Sequence, residues 1–84
     1  MTETKVQLAV DLLPLFQHLY KGGVLSIGPE DEVHLRPALF HSAFPEVTKA
    51  IPRRDAIYPW QFVKFETIGG RTIRFFALSE REDW

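Results

Sequence analysis

Cysteine is missing from this 84-residue chain, which excludes disulfide staples, thiolate zinc sites, iron–sulfur clusters and cysteine nucleophiles together. The same absence points to a reducing compartment. Long apolar runs are also lacking. The stretch from Val6 to Phe16 is broken by Asp11 and Pro14, and Met1 to Lys5 carries Glu3 in place of a basic leader. Neither a membrane span nor a signal peptide fits that pattern, and a cytoplasmic protein with no membrane association is expected. Charge of one sign is scarce too: 10 basic against 11 acidic side chains leave a formal net charge of −1. No global field attracts polyanions, so nucleic-acid binding would need a local patch.

What the chain does have is grease. Hydrophobic residues make up 45% of it and charged ones 25%, a globular composition far from that of chains that stay disordered. The length suits one domain, residues 1–84, with a single modest core. A chain of this size buries only about 60–65% of its unfolded surface, so self-association is a natural supplement where disulfides are unavailable.

The expected fold class is α+β: an antiparallel sheet built from two hairpins and packed with two helices, in the order α-β-β-α-β-β. Thr4, Gln7, Asp11, His18 and Lys21 recur at helical spacing, opposite Leu8, Leu12, Leu15, Phe16 and Leu19, which predicts an amphipathic helix with Thr4 and Gln7 as a capping box. Pro14 complicates this reading. It is tolerated cheaply only in a first turn, so Asp11 as N-cap, with Val6, Leu8 and Val10 alternating in a preceding strand, is the alternative for residues 4–10. Gly22 and Gly23 close the helix. Val24 to Ile27 and Glu32 to Arg36 read as a first hairpin around Gly28 to Asp31, and Pro37 starts a short second helix that Pro45 ends. Residues 45–59, with Pro45, Pro52 and Pro59, form an irregular connection of a length that is often functional.

Trp60 to Ile68 and Arg71 to Ser79 are β-prone runs joined by Gly69-Gly70, the composition of a primed two-residue turn. That turn predicts Phe65 opposite Arg74, Val63 opposite Phe76 and Gln61 opposite Leu78 on one face. On the other it sets Ile68 against Arg71, Glu66 against Ile73, Lys64 against Phe75 and Phe62 against Ala77. Both faces are apolar, which asks for cover by a further layer, by the long loop or by a second molecule.

Residues that carry chemistry are sparse. His18, His34 and His41 fall on three elements without metal-site spacing, Ser26 and Ser42 lack a nucleophile elbow, and Glu30, Asp31 and Glu32 are consecutive turn residues. No catalytic residue, metal or cofactor is expected. The loop from Lys49 to Trp60 is different, because Arg53 and Arg54 precede Tyr58 and Trp60, and arginine with large aromatics is the composition of interaction hot spots. Arg53, Arg54, Tyr58, Trp60, Arg74 and Phe76 are therefore the protein-binding candidates. The structural counterparts are a local Arg54–Asp55 pair, Tyr58 and Trp60 pinning the loop onto the core, and Arg74 lying over Phe65, while the apolar ring of Trp84 is useful only if it docks somewhere. A nucleic-acid alternative uses Lys49, Arg53, Arg54, Lys64, Arg71 and Arg74 for phosphates, with the aromatics stacking bases.

At Arg53-Arg54-Asp55, Tyr58-Pro59-Trp60, Gly70 and Phe75-Phe76-Ala77-Leu78-Ser79, about half the chain resembles short uncharacterised proteins of bacterial phages and mobile elements. The resemblance implies a context in which small proteins bind and block host proteins, defence nucleases among them, and attaches no role to an individual residue. A non-enzymatic protein-interaction module, a phage-type inhibitor or accessory factor that also forms a homodimer through its sheet, is the leading expectation.

Overall fold

The computed structural model describes residues 2–83, without the side chains of Thr2 and Glu3, so the docking expected of Trp84 lies outside the described residues. The elements are α1 (Thr2–Lys21), β1 (Val24–Gly28), β2 (Glu32–Leu35), α2 (Pro37–Ala43), β3 (Ile51–Pro52), β4 (Trp60–Ile68) and β5 (Arg71–Ser79). The five strands form one sheet in the order β1-β2-β5-β4-β3.

The α+β class is the one expected, but the sheet is mixed. Both hairpins are antiparallel, and β2 runs parallel to β5, with Glu32 opposite Arg74 and His34 opposite Phe76. Each hairpin is set locally by its turn, whereas their mutual direction depends on how the chain from α2 to β4 returns, which no local pattern encodes. The β4–β5 register is the predicted one at every pair, from Trp60 with Ser79 to Ile68 with Arg71. Gly69 and Gly70 turn the chain with φ of 60° and 79°, the left-handed conformation a primed turn needs. The irregular connection contributes β3, two residues that pair with Gln61 and Trp60 at the outer edge of β4.

One face of the sheet is covered. Phe40 and Phe62 are almost fully buried, with Leu35, Ala50 and Ala77, and Val33, Leu39, Phe44, Val47, Trp60 and Phe75 pack around them. The Phe40 ring lies 5.2 Å from Phe44 and 6.2 Å from Phe62, so α2 seats its apolar side on β4 and β5. Pro37 opens this helix, and the Phe44 N–H donates to the Phe40 carbonyl at its end. The opposite face, with Gln61, Val63, Phe65, Arg74, Phe76 and Leu78, has no helix packed on it among the described residues.

The first helix is the amphipathic one expected over residues 4–21, and it departs from expectation at its cap and in its packing. It runs unbroken through Pro14 from Thr2, so Thr4 lies inside it and not at a cap, and Gln7 donates to Asp11 Oδ1 at 2.9 Å. Pro14 is tolerated because it sits on the solvated stripe, where the carbonyl it leaves unpaired faces water. Residues 4–10 are helix and not strand. Most consequentially, α1 does not lie across the sheet: its main contacts are with the edge strand β1, and along 4–18 every residue is exposed. Only its last turns are held, by Arg36 over the Tyr20 ring at 5.0 Å and by the Arg36 N–H donating to the Gly23 carbonyl at 2.8 Å. The molecule is accordingly elongated, 46 × 31 × 23 Å.

Candidate functional site

Two surfaces are candidates. The first is the sheet face without a helix. Parallel pairing of β2 with β5 sets Arg74 between Glu32 on one side and Gln61 on the other, at 3.2 Å from each. Reaching toward Gln61 carries the guanidinium over Phe76, 4.6 Å from its ring centroid, and away from Phe65. The expected Arg74–Phe65 contact is thereby replaced: Gln61 lies diagonally past Phe76, so the hydrogen bond selects which ring the arginine covers. His34 stacks on Phe76 in nearly parallel planes, 4.6 Å apart and 7° inclined.

The loop between β3 and β4 closes one end of this face. Arg53 donates from its backbone N–H to the Pro59 carbonyl and from its side chain to the Tyr58 carbonyl. Asp55 accepts the N–H groups of Ile57 and Tyr58 at 2.9 and 2.8 Å. These bonds hold its carboxyl below the ordinary carboxylate value. The expected Arg54–Asp55 pair does not form, because backbone amides in a tight turn are closer acceptor-seeking groups than a flexible side chain, and Arg54 remains exposed. Tyr58 lines a hollow of about 280 Å³ with Leu25, His34, Arg36, Pro37 and Leu78.

Of the sequence-predicted protein-binding residues, the fold therefore gathers Arg53, Tyr58, Arg74 and Phe76 on one face, while Arg54 is exposed in the adjoining loop. Trp60 is not among them. Strand alternation puts it with Phe62 on the covered face, where it packs half-buried against the core. Glu32, His34 and Gln61 complete the cluster, and they were missed because they meet Arg74 and Phe76 only through the β2–β5 pairing.

The phosphate-binding set is dispersed. Lys64 and Arg71 share the face of Phe62, while Arg74 is on the other. Lys64 pairs with Glu46 at 3.3 Å, Arg71 with Asp31, and Arg74 with Glu32. Lys49 is exposed beside buried Ala50. No group of three potential metal ligands occurs among the described residues, and no described helix is long and apolar enough to cross a membrane.

Burial, then the positive charge of Arg53, keep His34 below the ordinary histidine value of 6.5, and burial does the same for His41. A depressed histidine stabilises the fold fully above its unfolded value and progressively less as pH falls toward the folded one, because the unfolded chain takes up the proton first. Urea midpoints should therefore drop between pH 7 and 5, above the carboxylate range. His34→Phe, which preserves the stack on Phe76, should flatten that drop; an unchanged slope would refute the assignment.

The second surface is α1. Val6, Leu8, Leu12, Leu13, Leu15, Phe16 and Tyr20 are 39–58% exposed and fall on one half of the helix circumference. At its C-terminal end this stripe runs into a cavity of about 490 Å³ lined by Phe16, Leu19, Tyr20, Val24, Leu25 and Ile27. The surplus apolar surface expected of the hairpin resides chiefly here.

Comparison with protein-family models, curated proteins and solved structures finds no match to this chain.

Proposed function

We propose that this chain is a small protein-interaction module of the phage inhibitor or accessory type, binding a partner protein and catalysing nothing. The carrying observation is α1, a 20-residue helix that turns eight large apolar side chains to solvent, seven of them on one half of its circumference, while its main packing is against β1 and its last turn meets Arg36. Helices of that composition are used as docking elements, laid into an apolar groove or against another helix. The face holding Arg53, Tyr58, Arg74 and Phe76, with exposed Arg54 in the adjoining loop, supplies a second contact area of hot-spot composition. The resemblance to phage and mobile-element proteins supplies the context, in the cytoplasm of a bacterial host.

Nucleic-acid binding is the less favoured reading. Its three hairpin residues, Lys64, Arg71 and Arg74, are divided between the two sheet faces and are already paired with carboxylates, leaving few counterions to release.

The test is capture from the native host, followed by calorimetry with the purified partner. Leu12→Asp with Phe16→Asp is expected to abolish binding, and Arg53→Ala with Tyr58→Ala to weaken it about tenfold. Labelled oligonucleotides at about 50 mM salt should not bind. Tight, salt-dependent oligonucleotide binding without any protein partner would reverse the order of the two readings.

A further inference from the structure

Three features make α1 an element that is incomplete in one copy of the chain. An isolated helix of this length is marginal in water, and an internal proline removes one of its hydrogen bonds. Among the described residues nothing covers positions 4–18, which are exposed throughout. The apolar positions also form two seams at coiled-coil spacing: Val6, Ala9, Leu13, Phe16 and Tyr20 three and four apart, and Leu8, Leu12, Leu15 and Leu19 four and three apart.

We infer that the partner of α1 is a second copy of this chain, the two helices packing antiparallel about a twofold axis near Leu12. The inference rests on the reading of α1 as an interaction element and specifies what covers it. The area argues for this occupant. Taking roughly 200 Å² for each whole residue, the aliphatic ones somewhat below and the two aromatic ones somewhat above, the seven half-exposed residues offer about 700 Å², close to the roughly 800 Å² per partner of a standard stable interface. A twofold interface uses the same patch on both copies, so one such stripe is sufficient.

Charge and shape set the direction. Lys5 is the one charged residue within the apolar half of the helix, between Leu12 and Phe16 in projection. Parallel helices would set two Lys5 ammonium groups side by side. Antiparallel helices centred on Leu12 separate them by about 21 Å, fourteen residues at the α-helical rise. Packed helix axes lie only about 8–10 Å apart, and antiparallel pairing also places the two sheets at opposite ends, where bodies tens of ångströms wide do not collide. Leu12 then meets its own copy, and Leu8 meets Phe16 of the second molecule.

Sedimentation equilibrium of the full chain should give twice the 9.7 kDa chain mass. Leu12→Asp with Phe16→Asp should return it to a monomer that retains amide-exchange protection in β4 and β5, which separates loss of the interface from loss of the fold. Gln7→Ala on the solvated stripe should leave the dimer intact. Because the chain has no cysteine, Leu12→Cys should oxidise to a covalent dimer while Lys5→Cys should not. A wild-type monomer at about 100 μM, a dimer indifferent to the aspartates, or cross-linking at Lys5→Cys overturns the proposal. A monomer whose α1 amides become protected only with a different bound protein also overturns it, but leaves the interaction reading standing. A monomer with α1 already protected removes both.

Discussion

Phe62→Ala is expected to cost about 3–5 kcal/mol, the range for deleting a buried aromatic side chain. Phe62 is 1% exposed and sits where β4 meets α2, edge-on to His41 at 4.4 Å and near Phe40 at 6.2 Å. The cavity cannot close easily, because both neighbours belong to a short helix fixed at its start by Pro37 and at its end by the Phe44 N–H. Small domains have a total stability of about 5–15 kcal/mol, so this single change should leave much of the protein unfolded at moderate urea. Phe65→Ala, three residues along the same strand but 61% exposed on the other face, should cost no more than about 1 kcal/mol. Urea denaturation followed by tryptophan fluorescence compares the two, and equal losses would mean that the covered face has been assigned wrongly.

Gly23→Ala is expected to be the next most damaging change, at about 2–4 kcal/mol, from a disfavoured backbone and a steric overlap acting together. Gly23 has φ of 109°, and a Cβ built there would lie 2.9 Å from Leu39 Cβ. The residue also accepts the Arg36 N–H at 2.8 Å, so the backbone cannot rotate away without breaking the bond that joins the start of β1 to the start of α2. Gly22→Ala is the control: its Cβ would meet only carbonyl oxygens at 3.4 Å and beyond, and the change should be within about 1 kcal/mol of neutral. Adding Leu39→Gly, which removes the Cβ itself, to Gly23→Ala should recover the steric part and leave the backbone part, a coupling that a double-mutant cycle measures directly. Strict additivity of the two substitutions would exclude the overlap as a cause.

How far the chain could be read follows from the range of each interaction. The β4–β5 register was legible to the residue because a two-glycine turn and the two-residue period of a strand leave no freedom once the turn is placed. The bounds of α2 were legible for a similar reason, with Pro37 at one end and Pro45 just past the other. The same strand period already assigned Trp60 to the side of Phe62 and Phe76 to the side of Val63, so grouping both rings in one patch overlooked a signal that was present. The cluster of Glu32, His34, Gln61, Arg74 and Phe76 was not legible, since it depends on β2 lying beside β5, a pairing between residues about 40 apart in sequence.

α1 shows the boundary most clearly. Its amphipathic period was evident from Leu8, Leu12, Leu15 and Leu19, and the period says that one side must leave water. It does not say against what. Local residue order determined the helices, the C-terminal hairpin and its register, because those rest on backbone dihedrals and on neighbours within a few positions. Three-dimensional packing determined which sheet face is covered, the parallel join of the hairpins and the outward course of α1. Those outcomes compare burial energies between segments that only the finished fold brings near one another.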